Sequence, residues 1–333
     1  MDRMVIVEKL AKVFSPNIRA VDNISFYLER GEIFGFLGPN GAGKSTTIKV
    51  LTTLLKKTSG KVTIDGIDLD RDPAAIRRTI GYASQEVGVD DDLTGRENLR
   101  LQCKLYHLPD AQIPSRVEEL LRTMDLGEAA ERRAGTYSGG MKKRLDLAAA
   151  LIHKPKLLFL DEPTTGLDPQ NRRAVWEYIK SLNESGTTIF LTTQYLEEAD
   201  QLADRLSIVD HGKIVAGGTP AALKAEIGAD VVELTLKEDG MEGIRAKAKE
   251  ALGTIAGIKE VRDYDGSIAA YGQSGSTLVP QIVRALDGAG VEIEQLTLSG
   301  PSLDDVFLKH TGRKLRVEEV RTRTSAGGWG RRR

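Results

Sequence analysis

Gly38-Pro39-Asn40-Gly41-Ala42-Gly43-Lys44-Ser45-Thr46 lies between the apolar run Ile33-Phe34-Gly35-Phe36-Leu37 and the amphipathic segment Thr47 to Leu55. The order reads as strand, glycine loop, helix. The spacing Gly, four residues, Gly-Lys-Ser is the phosphate-cradling P-loop pattern, in which glycines at 38, 41 and 43 let backbone N–H groups face phosphate oxygens where a side chain would block the approach. The helix starting near Lys44 adds the positive end of its dipole, Lys44 can reach the β- and γ-phosphates, and the Ser45 hydroxyl suits a Mg²⁺ ion. The stretch is read as a nucleoside-triphosphate site; a glycine-rich turn that binds nothing would not need this strand and helix around it.

The 333 residues are enough for two ordinary domains, and 40% hydrophobic content is enough for a core in each. Lys plus Arg number 47 and Asp plus Glu 48, so no charge excess points to nucleic acid. The single cysteine, Cys103, excludes an internal disulfide and reads as a buried apolar residue in a reducing compartment. No run approaches the ~18 apolar residues of a membrane span, so any membrane role is expected to be peripheral.

Strands are predicted at Val5 to Glu8 and Ile24 to Leu28, joined by a segment with Phe14, Ser15 and Pro16. Phe14 could stack on adenine, and ordinary core packing is its competing reading. Beyond the P-loop helix come a strand at Lys61 to Asp65, a short helix at Ala74 to Arg78 and a strand at Ile80 to Ser84 that ends on Gln85, where an amide would face a ligand crevice. From Asp90 to Tyr137 the pattern is helical, with capping boxes read at Thr94-Gly95-Arg96-Glu97 and Ser115-Arg116-Val117-Glu118. This predicts a semi-independent helical lobe. Ser138-Gly139-Gly140 opens a helix through His153; two glycines in a first turn are unfavourable, and close approach to an anion supplies a reason for them.

Leu157-Leu158-Phe159-Leu160-Asp161-Glu162 is an apolar strand ending in two carboxylates, the Walker B arrangement. Asp161 can hold Mg²⁺ through water. Glu162, pointing elsewhere by strand alternation, can polarise a water for attack on a γ-phosphate. Asp168-Pro169 caps a helix through Ser185, Thr188 to Thr192 is a buried strand followed by Gln194, and strands Arg205 to Val209 and Lys213 to Ala216 meet at Asp210-His211-Gly212.

Together, the P-loop, Gln85, Tyr137-Ser138-Gly139-Gly140-Met141, Leu157 to Glu162 and Gly166-Leu167-Asp168 resemble the ATP-binding subunit of ABC transporters over residues 4–220. The resemblance implies a P-loop ABC ATPase domain of α/β class with a mixed-sheet core, an antiparallel β subdomain and a helical lobe at about 90–153. It implies ATP and Mg²⁺ as cofactors and a head-to-tail homodimer. Each ATP would be clamped between the P-loop of one copy, with Asn40, Ala42, Lys44 and Thr46, and Ser138, Gly139 and Gly140 of the other. Asp168 would line the nucleotide interface. Glu162 would be the general base, and Gln85 would sense γ-phosphate and Mg²⁺. Two departures stand out. Tyr137 and Met141 replace the usual Leu and Gln of the signature. Gln194 stands at the switch position where most members carry histidine; it can donate a hydrogen bond but cannot carry a proton, so slower or differently gated hydrolysis is expected.

Thr192-Thr193-Gln194-Tyr195-Leu196-Glu197-Glu198-Ala199-Asp200, Leu51-Thr52-Thr53-Leu54-Leu55 and Pro301-Ser302-Leu303-Asp304-Asp305-Val306-Phe307 narrow the resemblance to the daunorubicin-resistance type of export ATPase. That type implies a separate polytopic ABC-2-type permease, an amphipathic drug-like substrate and a peripheral position on the cytoplasmic side of the membrane. Lipid and polysaccharide exporters share most of the motifs, and a soluble ATP-dependent regulatory or drug-binding protein is a further alternative. Residues 221–312 read as βαββαβ, a small α+β ferredoxin-like accessory domain ending in a helix capped at Ser302. Residues 313–333, with clustered Arg and Gly327-Gly328-Trp329, read as a basic disordered tail.

Overall fold

Strands β1 (Arg3–Phe14) and β2 (Ile18–Glu29) form a hairpin longer than the apolar alternation marks. Register shifts between Val7 and Leu10 and again before Lys12 and Val13 break the two-residue period, so the outer half of the hairpin is invisible as a pattern. The computed structural model describes residues 2–15, 17–228, 230–237, 243–264, 267–272 and 275–313. Pro16 and the segment 314–333, including Gly327-Gly328-Trp329, lie outside the described residues. Next come β3 (Ile33–Leu37), α1 (Lys44–Leu51), β4 (Ser59–Ile64), β5 (Ile67–Asp68), α2 (Pro73–Thr79) and β6 (Ile80–Ala83). A four-stranded antiparallel sheet has the order β2-β1-β4-β5.

The main sheet adds β7 (Leu157–Asp161), β8 (Thr188–Thr193), β9 (Arg205–Asp210) and β10 (Lys213–Gly218) in the order β10-β9-β3-β8-β7-β6. All neighbours in it are parallel except β9 and β10. Such strands are covered on both faces, which explains their unbroken apolar runs. Toward the antiparallel sheet, the rings of Phe26, Phe34, Phe36 and Phe190 pack with neighbouring centroids 5.4–5.9 Å apart. The other face carries Leu158, Leu160, Ile189 and Leu191 against the helical lobe.

That lobe is α3 (Gly95–Leu105), α4 (Ile113–Thr123) and α5 (Gly139–Ala150). Thr94 and Glu97 form the expected capping box. Ser115 does not cap: α4 already starts at Ile113 with Pro114 in its first turn, and the Ser115 hydroxyl donates to Gln112 O at 3.0 Å. Tyr137 is buried and donates to Ala129 O at 2.6 Å, and a Cβ on Gly95 would lie 2.3 Å from its oxygen. The departure at 137 is thus matched by a glycine at the start of α3. Helices α6 (Pro169–Glu184), α7 (Leu196–Leu202) and α8 (Pro220–Ile227) follow along the chain.

The rest of the chain forms a second core. Strands β11 (Asp230–Leu236), β12 (Ile258–Tyr264), β13 (Ser267–Gly272) and β14 (Ile293–Ser299) make an antiparallel sheet of order β12-β13-β11-β14. With α9 (Ile244–Gly253) and α10 (Gly275–Gly288), this is the ferredoxin-like order. Glu242, expected to open α9, lies outside the described residues. Helix α10 begins before the expected Thr277 because the Asp230 carboxylate accepts from Gly275 N at 2.7 Å. The last helix, α11 (Leu303–Thr311), leaves this core: Leu303, Val306 and Phe307 pack with Leu37, Ala199, Leu206 and Ile208 of the first domain.

Candidate active site

The parallel strands β3, β7 and β8 end side by side, and the site is built on their C-terminal ends. The loop after β3 is held from behind: Gly38 N donates to Thr193 O at 3.1 Å and Gly212 N to Ala42 O at 3.0 Å. A Cβ on Gly38 would lie 2.2 Å from Val209 O, and one on Gly43, at φ +101°, 2.3 Å from Ala20 O. These glycines are demanded by the wall behind the loop. Gly41, at φ +80°, faces open space, and Asn40 and Gly41 are exposed. Ala42 is buried in the core and Thr46 is half-buried in the first turn of α1.

Lys44 folds over this loop. Its Nζ donates to Gly38 O at 2.7 Å and Pro39 O at 3.0 Å, and lies 3.2 Å from Glu162 Oε1. Burial pulls the ammonium's pKa down, and Glu162 opposes the shift. Asp161 Oδ1 accepts from Ser45 Oγ at 3.1 Å and from Thr192 Oγ1 at 2.6 Å. Glu162 Oε2 accepts from Thr165 Oγ1 at 3.2 Å and Gln85 Nε2 at 3.4 Å. The two carboxylates diverge, but not by strand alternation. β7 ends at Asp161, and Glu162 has φ +49°, a left-handed backbone held by its N–H on Thr192 O at 3.1 Å.

The structure therefore brings together Lys44, Ser45, Gln85, Asp161 and Glu162. A hydroxyl and a carboxylate side by side are the hard oxygen donors that Mg²⁺ takes in company with phosphates. Among the described residues no group of three or more His, Cys, Asp and Glu side chains gathers as a larger metal site. Gln194 is buried directly after Thr193, the residue whose carbonyl holds Gly38.

Other candidates lie apart from this cluster. Asp168 caps α6, its Oδ1 accepting from Asn171 N at 2.9 Å, and these bonds hold its carboxyl below the usual range. Phe14 is 38% exposed near the hairpin tip, with the Lys12 ammonium 5.0 Å from its ring centroid. Ser138 and Gly139 are exposed at the start of α5, where Ser138 Oγ accepts from Met141 N at 3.2 Å. Gly140 is buried, and a Cβ there would lie 2.3 Å from Asn171 Oδ1. One of the two glycines is thus required by packing on α6; Gly139, with Leu167 Cδ2 at 3.6 Å as its nearest neighbour, is not. Thr165 and Thr192 were not legible as site residues, since a threonine in a loop or a buried strand carries no pattern.

Two family profiles match the chain: ABC transporter over residues 21–165 and ATP-binding protein DrrA1-3-like, C-terminal domain, over 218–311. It is 45% identical over 302 residues to the daunorubicin resistance ATP-binding protein DrrA3 of Streptomyces coeruleorubidus, covering 91% of this chain and 94% of that one. It is 36% identical to the linearmycin resistance ATP-binding protein LnrL of Bacillus subtilis, covering 94% of this chain and all of the other. A dimeric ATP-binding cassette in a post-hydrolysis state, bound to ADP and Pi, superposes with a TM-score of 0.59 at 27% identity, covering 65% of this chain and 98% of that one. The chain is an ATP-binding and ATP-hydrolysing protein of the ABC transporter family and belongs to its daunorubicin-resistance type.

Proposed function

We propose that this chain powers export of amphipathic, drug-like compounds as a head-to-tail pair of copies seated on a separate ABC-2-type permease at the cytoplasmic side of the membrane. The observation that carries the catalytic part is the meeting of Lys44, Gln85 and Thr165 on one buried carboxylate, Glu162. Glu162 takes the proton of a water whose oxygen bonds to the γ-phosphorus as the bond to the β–γ bridging oxygen breaks. Lys44 and the loop N–H groups hold the phosphates. Ser45, Asp161 and Gln85 would hold Mg²⁺, which when bound offsets charge on the β- and γ-phosphates. Gln85 orients the water, and Gln194 donates a hydrogen bond to the γ-phosphate.

Exposure of Ser138 and Gly139 supports their service to the nucleotide of a second copy. In that pair ATP closes the interface, and the charge repulsion that follows hydrolysis reopens it. Exposed Val87 beyond Gln85 and exposed Leu101, Leu105 and Tyr106 on the helical lobe support docking to a membrane partner there. Among the described residues no helix is long and apolar enough to cross a membrane. Resistance to daunorubicin in the name of one relative supports the drug-like substrate class.

The test is affinity capture of the Glu162→Gln protein with ATP and Mg²⁺ from mildly solubilised native membranes. Recovery of a polytopic partner, followed by drug-stimulated turnover of the reconstituted pair, is the expected result. Recovery of this chain alone under conditions where it binds ATP would overturn the permease reading.

A further inference from the structure

Two buried, charged side chains of α5 grip the glutamine loop at both ends. Lys143 Nζ donates to Ser84 O at 2.7 Å, and Asp146 Oδ1 accepts from Gly88 N at 3.0 Å. Their side chains are 5% and 10% exposed and approach each other at 3.6 Å. Gln85 lies within the gripped span, with its amide 3.4 Å from Glu162 Oε2. Burial lowers the pKa of Lys143 and raises that of Asp146, each opposed by the other. A buried ion pair is a poor source of stability, because apolar residues of similar volume pack there as well or better. Leu145, Leu147 and Ala148 show that this helix supplies apolar core where packing alone is wanted. Asp146 Oδ2 faces the ammonium at 3.6 Å, an ion contact longer than a hydrogen bond, while the shorter bonds of both side chains go to the loop backbone. What the pair adds is direction, with one donor and one acceptor aimed at the backbone on either side of Gln85.

We propose that Lys143 and Asp146 are positioning residues that set Gln85 against Glu162 and transmit displacements of the exposed Ser138-Gly139 end of α5 to the hydrolysis site. The proposal rests on Gln85 and Glu162 having the roles given above. Helix α5 packs against α3, α4, β6 and α6, and Lys143 and Asp146 lie one to two turns beyond its exposed first turn, which puts them in line to carry a displacement there to the Gln85 loop.

The experiment uses the full chain with Lys143→Met, Asp146→Leu, the Lys143→Met/Asp146→Leu double variant, Lys143→Arg, and Gln85→Ala alone and combined with Lys143→Met. ATP turnover, ATP affinity, melting temperature and hydrogen exchange of the 84–88 amides are measured for each. The double variant leaves no lone buried charge, so it keeps the melting temperature while turnover drops about tenfold with ATP affinity within twofold. Exchange rises in 84–88, Lys143→Arg restores part of the turnover, and adding Lys143→Met to Gln85→Ala gives no further loss. Unchanged exchange in 84–88, or losses that multiply in the Gln85→Ala background, would overturn the proposal. If Gln85→Ala alone turned over normally, the assignment of Gln85 would fail first; a Gln85→Ala defect with full activity in the double variant would sink the positioning role alone.

Discussion

The Lys44 ammonium and the Glu162 carboxylate lie 3.2 Å apart, with side-chain exposures of 3% and 5%. A buried cation and a buried carboxylate are thus held in one place, at the end of the parallel strand that carries Asp161. Replacing Glu162 by Gln keeps its shape and removes its capacity to take a proton. Turnover falls by a factor of about 10² to 10⁴, the range for loss of a positioned general base. ATP binding persists, and size-exclusion chromatography with ATP finds a trapped dimer. A monomeric variant with wild-type turnover contradicts the mechanism.

In the proposed mechanism Gln194 supplies a neutral hydrogen bond where a charged or proton-carrying side chain would act differently. Gln194→Ala removes it and lowers turnover by about tenfold, the equivalent of about 1.4 kcal/mol. Gln194→His retains activity and introduces a pH dependence near the ordinary histidine range. Steady-state rates between pH 6 and pH 8 check both, and unchanged turnover in the alanine variant removes Gln194 from the site.

Gly139 and Gly140 separate function from packing. Gly140→Ala forces a Cβ onto Asn171 and destabilises the fold by about 1–3 kcal/mol, an effect relieved by adding Asn171→Ala. Gly139→Ala makes only an ordinary van der Waals contact with Leu167 Cδ2 at 3.6 Å, so it melts at or slightly above the wild-type temperature yet loses turnover through the proposed paired interface. Thermal melts and turnover at several protein concentrations distinguish the two variants.

His153 makes stability sensitive to mild acid. Burial lowers its pKa, Nε2 lies 2.8 Å from Ile80 O, and Nδ1 is buried with no hydrogen-bond partner. The carbonyl requires the Nε2–H tautomer, so protonation would place a second N–H in a site with no acceptor. Because the folded-state pKa is below the unfolded value of about 6.5, the unfolded chain binds more protons in that window. The contribution is complete above about pH 6.5 and is lost as pH falls toward the folded-state value. Melting temperatures from pH 7.5 to pH 5 should therefore fall more steeply for the wild type than for His153→Gln.

Sequence alone determined the features that are written within a few residues of one another. The Gly38–Thr46 loop is recognisable by its fixed short spacing between strand and helix, and the Thr94–Glu97 box and the Asp168–Pro169 and Ser302 caps rest on contacts three residues apart, so they stand in the text of the chain. Buried strands were equally legible, because a sheet covered on both faces needs continuous apolar runs. The tertiary structure decided whatever crosses the sheet. Thr192 reaches Asp161 from the neighbouring strand, Glu162 turns left-handed because its N–H is held by that strand, and Lys143 and Asp146 find the Gln85 loop from a helix some 58 residues further on. Asn171 gives Gly140 its reason, and α11 abandons the domain that precedes it to cover Leu37 and Ile208. Such contacts depend on which strands become neighbours, and strand order is set by the packing of the whole chain rather than by any local pattern.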